Sequence, residues 1–164
     1  MNANELSLIA SARKRPNTPC LFTIGYEGSS FEEYLNRIIK NNIKMLVDVR
    51  KNPISRKRGF SKKNLSETLN NLGIKYVHIP NLGISSEKRQ SLNTQKDYDL
   101  LFVSYLNNEL KNNKSSLDYL FEIFKEYHRI AITCFEADKC MCHRGIIANA
   151  LSNFPDWKYE ICHI

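Results

Sequence analysis

No run of apolar residues in this 164-residue chain approaches the ~18–20 that a bilayer span needs, so no segment reads as membrane-crossing. A secretion signal is missing as well. Leu6 to Ile9 is too short an apolar stretch, and Arg13, Lys14 and Arg15 follow it rather than precede it. The sequence contains neither an internal repeat nor a low-complexity tract. Cysteine is limited to five positions (Cys20, Cys134, Cys140, Cys142 and Cys162), and an odd count without a secretion signal argues against a disulfide framework. The expectation left by these absences is a cytoplasmic globular protein. Its length suits one domain with a real core, and its apolar fraction of 42% is ordinary for that class.

Acidic residues are absent from one stretch, and that absence is informative. Residues 50–63 hold seven basic side chains (Arg50, Lys51, Arg56, Lys57, Arg58, Lys62, Lys63) and no Asp or Glu. Without those seven, the 24 Lys+Arg fall to 17, equal to the Asp+Glu total. The net charge of +7 therefore sits in one short segment, and a focused positive patch attracts phosphate or another polyanion. Phe60 within it offers a stacking surface for a nucleic acid; the alternative is a solvated loop.

Residues 1–19 read as a flexible polar lead-in ending in Pro16 and Pro19, and 20–164 as a single domain in which strands and helices alternate. Short apolar runs at 21–25, 45–49, 74–79, 129–134 and 159–163 predict five strands. Apolar positions at Phe31, Leu35, Ile38 and Ile39 predict a helix over 30–41, with Ser30 and Glu33 as a capping box. Ser61 is placed to cap a second helix lined by Leu65, Leu69 and Leu72 and ended by Gly73. Two amphipathic helices over 97–111 and 115–126, and a last one over 143–153, complete the pattern. This order implies an α/β fold: a mostly parallel central sheet of about five strands with helices on both faces.

Reactive residues recur after strands. Tyr26 and Glu27 follow the first, Asp48 and Arg50 close the second, and His78 ends the third. Cys134 and Glu136 end the fourth, and His163 ends the fifth. Ligands of open parallel sheets bind beyond the strands' carboxyl ends, so these residues are expected to share a crevice. The densest element is CFEADKCMCHR, residues 134–144. Cys142 lies beside the start of the following helix, where the local field lowers a thiol's pKa, which makes it a candidate nucleophile with His143 as proton shuttle. Cys134 is a second candidate thiol. Arg144, a cation at a helix start, calls for a bound anion or a partner carboxylate such as Glu136 or Asp48. Zinc could draw on Cys134, Cys140, Cys142 and His143, but the spacing C-x5-C-x-C-H is not a common zinc pattern and adjacent ligands are awkward. No metal and no cofactor is assigned.

Several of these segments together are similar to one family. TIGYEG (23–28), LVDVRKNP (46–53) with Ser55 and Arg56, YVHIPNLG (76–83), CFE and CHR within 134–144, and the terminal His-Ile pair resemble the prokaryotic domain-of-unknown-function family 488, over residues 21–164. The resemblance implies a compact α/β fold. It marks Gly25, Asp48, Arg50, Pro53, Ser55, His78, Pro80, Leu82, Gly83, Cys134, Glu136, Cys142, His143 and Arg144 as recurrent positions, and leaves Cys140 outside the pattern. A looser likeness links the Asp-Val-Arg strand end and the cysteine loop to rhodanese-type sulfurtransferases. Their cysteine-to-arginine arc is short, however, whereas here Cys134 and Arg144 lie ten positions apart.

The expected function is an enzyme acting on a phosphate-bearing substrate, either a small molecule such as a nucleotide or a nucleic acid. Cys142, His143, Glu136, Cys134 and Asp48 form the catalytic set, and Arg50, Arg144, Tyr26, Ser55, Arg56 and His78 bind the anion. The alternative is a non-enzymatic nucleic-acid-binding module using the 50–63 loop. Nothing in the sequence indicates an oligomeric state.

Overall fold

The structure, a computed structural model, describes residues 17–164. All of the expected lead-in before Asn17 lies outside the described residues. From Cys20 onward the chain alternates as anticipated. The strands are β1 (Cys20–Gly25), β2 (Met45–Asp48), β3 (Lys75–His78), β4 (Arg129–Cys134) and β5 (Glu160–His163). The main helices are α1 (Phe31–Lys40), α2 (Lys62–Asn71), α3 (Gln95–Ser104), α4 (Lys114–Tyr127) and α5 (His143–Ser152). Among the described residues no helix is long and apolar enough to cross a membrane.

The five strands form one sheet in the order β3-β2-β4-β1-β5, and every pairing is parallel. The chain runs from β1 through α1 to β2 and through α2 to β3, then reverses across the sheet to β4 and β5. Right-handed crossovers taken in opposite directions place their helices on opposite faces. Accordingly, Tyr34 and Ile38 of α1 and Leu65 and Leu69 of α2 pack with Phe22, Ile24, Leu46 and Ala131. Leu120 and Phe124 of α4 and Ile147 and Leu151 of α5 pack with Leu21, Val47, Ile130 and Ile132. Neighbouring strand residues alternate between the two sets, as the pleat requires. The central strands β1 and β4 are buried along their whole length, whereas edge strand β3 is part-exposed.

Local chemistry explains the helix limits. Ser30 and Glu33 make the reciprocal capping box at the start of α1, with Glu33 N–H on Ser30 Oγ at 3.1 Å and Ser30 N–H on Glu33 Oε2 at 2.7 Å. Ser61 precedes α2 but its side chain makes no cap hydrogen bond, so that sequence expectation fails at the level of the contact. Between α3 and α4 the backbone passes through a π-helical segment, Tyr105–Leu110. The wider turn swings Tyr105 into the core, where its hydroxyl donates to Leu82 O at 2.7 Å.

This topology fixes where a ligand site can form. Strand β4 leads to α5 on one face, while its neighbours β1 and β2 lead to α1 and α2 on the other. The loop after β4 therefore parts from the loops on either side of it and leaves a crevice at its carboxyl end.

Candidate functional site

The register puts Gly25 opposite Cys134, and Asp48 opposite both Thr133 and His78. Four of the five strand ends named in the sequence thus lie side by side. The fifth does not reach them: His163 pairs with Thr23, two residues short of Gly25, and its Nδ1 lies 2.6 Å from Thr23 Oγ1. Two glycines let the site loops close over the sheet. A Cβ at Gly25 would sit 1.8 Å from Glu136 O, and one at Gly83 would sit 2.3 Å from Lys51 N. Any side chain at either position pushes a site loop outward.

On the α1/α2 face of this edge, Asp48 and Arg50 form a buried ion pair. Arg50 Nε donates to Asp48 Oδ1 at 2.9 Å and Arg50 NH2 donates to Oδ2 at 2.6 Å. Tyr76 OH donates to Asp48 Oδ2 at 2.6 Å, and Arg50 NH1 donates to Tyr26 OH at 2.9 Å and Phe60 O at 2.8 Å. Burial alone would lower the Arg50 pKa, but the Asp48 hydrogen bonds and charge outweigh it and raise it. His78 Nε2 lies 2.8 Å from Arg50 O, and Lys62 Nζ lies 3.3 Å from His78 Nδ1, so His78 braces the loop. Asp48 thus has its oxygens committed to Arg50 and Tyr76 rather than facing a substrate.

On the α4/α5 face, Cys134, Glu136, Cys142 and His143 meet. The Cys134 thiol donates to Glu136 Oε2 at 3.1 Å. His143 Nδ1 lies 3.8 Å from Cys134 Sγ and 3.9 Å from Cys142 Sγ. His143 Nε2 lies 3.2 Å from Val49 O, and Arg89 NH2 donates to Nδ1 at 2.7 Å. Those contacts assign the neutral tautomer with its proton on Nε2 and leave neither ring nitrogen unengaged. The Tyr105 ring packs edge-on against His143 at 5.6 Å. Arg89 also forms an ion pair with Glu136. Arg144 is turned into the loop, donating to the carbonyls of Glu136 and Ala137 rather than to a carboxylate or an anion.

The two thiols differ sharply. A hydrogen bond from the Cys142 thiol, joined by the Arg89 charge, the Phe135 main-chain N–H and the Arg144 charge, overcomes burial and lowers the Cys134 pKa from 9.0 to about 7. Burial, followed by the interaction with Cys134, pushes Cys142 up to about 12. The helix start beside Cys142 does not compensate, because its sulfur is nearly completely buried. The more acidic thiol is therefore the strand-end cysteine and not the one at the helix start.

Cys134 also faces the opening. A cavity of about 390 Å³ is lined by Cys134, Glu136 and His143, by Tyr26, Arg50, Ser55 and Arg56, and by Arg89 and Lys51. Cys142, Arg144, Asp48 and His78 are not among its lining residues. Arg89 is the residue missed at the sequence level: it stands in the polar loop after β3, with no motif and no periodicity to mark it. Its position becomes intelligible only once Gly83 lets that loop fold back against Lys51.

Cys134, Cys142 and His143 bring their ligand atoms within 4.8 Å of one another, a separation that a thiophilic divalent ion could bridge. Cys140, the other thiol of the segment, is exposed and stands outside that group. The Arg89 guanidinium already places a positive charge against His143 Nδ1 and Glu136.

Comparison with curated proteins and with solved structures gives no match. Residues 30–151 match the family model described as Domain of unknown function DUF488, a span that includes β2, β3, β4, both site loops and nearly all of α5; the chain belongs to that family.

Proposed function

We propose that the protein is an enzyme acting on a phosphate-bearing substrate, with Cys134 as nucleophile and Glu136 as the group that moves its proton. The observation that carries this reading is the Cys134 sulfur: acidified, 3.1 Å from a carboxylate, and on the wall of a crevice that also bears Lys51, Arg56 and Arg89. The cations would hold the phosphate as a handle. The S–H proton passes to Glu136 Oε2, and the Cys142 thiol then donates to the thiolate. The sulfur forms a bond to an electrophilic centre of the substrate, and the leaving group departs with the bonding pair and takes the proton from Glu136. Water then cleaves the adduct, gives one proton to Glu136 and regenerates the thiolate. His143, engaged at both nitrogens, positions Arg89 rather than shuttling protons.

Two assays test this. Inorganic pyrophosphate should slow alkylation of Cys134 by iodoacetamide, and neither Cys134→Ser nor Glu136→Gln should complement a deletion strain. Unprotected alkylation together with full complementation by both variants would remove the enzyme reading.

The alternative, a nucleic-acid-binding module, is favoured by one observation: Lys51, Arg56, Arg58, Lys62 and Lys63 stay exposed along the 50–63 segment. Against it, the other two cations turn inward, Arg50 to Asp48 and Lys57 to Tyr26 O at 3.0 Å, and the exposed Lys62 contacts His78. This module would lose affinity steeply with salt, with a shallower slope once Arg56 and Arg58 are neutralised. Salt-independent binding would dismiss it.

A further inference from the structure

The mouth of the crevice carries two apolar side chains that the phosphate reading leaves unused. Phe135 follows Cys134 directly and is 45% exposed, and Ile54 stands in the basic loop at 85% exposed; both line the same cavity as Cys134. Single exposed apolar residues are ordinary on protein surfaces. Two that border one cavity, above a wall of cations, are a different case.

Phe135 is also held in place. Its carbonyl accepts from Tyr26 N–H at 3.1 Å and from Glu27 N–H at 2.8 Å, which ties the loop after β4 to the end of β1. The Tyr26 ring meets it at 5.3 Å with an interplanar angle of 80°, fixing its orientation from one side. Tyr26 is itself stacked on Phe60 at 4.2 Å, so the support beneath is rigid. An exposed aromatic ring on an anchored backbone loses little conformational freedom on binding a flat partner.

We infer that the crevice takes a nucleoside phosphate, its base lying against Phe135 and Ile54 and its phosphate against Lys51, Arg56 and Arg89. This rests on the phosphate reading above and adds the substrate class. A sugar phosphate would use the cations and leave the two apolar groups in water. A nucleotide uses both, because every base presents an apolar face for stacking and its phosphate supplies the charge. Asn52, Ser55 and Ser86, which also line the cavity, give hydrogen-bonding partners of the kind that ribose hydroxyls and base edges need. The cavity volume of about 390 Å³ falls within the roughly 300–1,000 Å³ range of small-molecule sites. The nucleotide could be free or could be the terminal unit of a single strand, since both present the same base and phosphate.

Calorimetric titration of the full chain with AMP, with ribose 5-phosphate, with inorganic phosphate and with a short 5′-phosphorylated single-stranded oligonucleotide tests the inference. AMP or the oligonucleotide should bind about tenfold tighter than ribose 5-phosphate, the gain that one stacked base supplies. Phe135→Ala should erase that gain and Phe135→Tyr should keep it; the tyrosine variant also guards against a folding defect. Tight binding of AMP identifies a free nucleotide as the ligand, and tight binding of the oligonucleotide alone identifies a strand end. Equal affinity for AMP, oligonucleotide and ribose 5-phosphate would overturn the nucleoside inference while leaving the phosphate reading intact. Failure of every phosphate compound to bind would overturn both.

Discussion

Two polar networks stand at the same edge of one sheet, on opposite faces, and they are finished to different degrees. Around Asp48 and Arg50 the carboxylate and guanidinium meet through several hydrogen bonds, with Tyr76, Tyr26 and Phe60 O taking up further capacity. Around Cys134 and His143 the two sulfur contacts to His143 Nδ1 run to 3.8 and 3.9 Å while Arg89 NH2 holds the same nitrogen at 2.7 Å, and two buried nitrogens, Arg89 Nε and Arg144 Nε, make no hydrogen bond to another protein group. Buried polar groups are normally satisfied, so an incomplete network marks a place where a ligand or a reaction can complete it. The difference teaches that proximity to the crevice does not decide which residues act. The Asp48 network is a scaffold that holds the basic loop, and the Cys134 network is where the proposed chemistry is placed.

Breaking the scaffold should cost the most. Asp48→Ala strips the partner from a buried guanidinium, and urea unfolding should show a loss of about 3–5 kcal/mol. A loss under about 1 kcal/mol, the level of a surface pair, would mean that the Asp48–Arg50 network is not a closed one. Next in size is Gly25→Ala, which forces the Glu136 carbonyl away from β1. Overpacking of this kind costs about 1–3 kcal/mol, and because the same loop carries Phe135 and Glu136, Cys134 should also alkylate more slowly at pH 7. Unchanged reactivity would separate the loop from the thiol's environment.

Two smaller effects sharpen the contrast on the cysteine side. Cys142→Ala removes the thiol that donates to Cys134, so the alkylation midpoint of Cys134 should move from about 7 back towards 9.0. The lowered Cys134 pKa also enters stability. Between pH 7 and 9 the unfolded chain keeps the Cys134 proton and the folded one has lost it, so stability should rise with pH across that window and the contribution should be lost as pH falls through 7. Cys142 acts in the opposite sense above it: its raised pKa contributes stability below 9.0 that is lost as pH climbs towards 12. Urea midpoints at several pH values check both, and a flat profile in the wild type would contradict the assignment. The smallest effect belongs to Phe135→Ala, expected within about 0.5 kcal/mol of wild type because the ring is half exposed; its consequence is for binding.

Much of the scaffold was readable in the residues. Apolar runs bounded by glycine and proline marked the strands because strands buried on both faces must be apolar throughout, and the Ser30–Glu33 box marked a helix start because its two hydrogen bonds are local. The strand order, and with it the crevice, depends on long-range pairing that no local pattern records. The same limit explains Arg89, an isolated cation brought to Glu136 and His143 by a loop that folds back. The ranking of the thiols turns on which sulfur receives the other's hydrogen bond, since both are buried. From the sequence Cys142 has the helix start and a basic neighbour in its favour, but in the fold it is the donor to Cys134, and Cys134 is the one of the two that lines the crevice. Arg144 likewise looked ready for an anion, and its guanidinium instead closes the backbone carbonyls of its own loop.

The most direct test of the account is the alkylation rate of each cysteine as a function of pH, read by mass spectrometry with and without a chelator, in a Cys140→Ser background that removes the exposed thiol. The account predicts that Cys134 reacts first, with a midpoint near pH 7, that Cys142 stays unreactive until far higher pH, and that chelator changes neither. A Cys134 midpoint at or above 9, or modification of Cys142 ahead of Cys134, would contradict it, and protection of both thiols that a chelator releases would replace the nucleophile with a metal site.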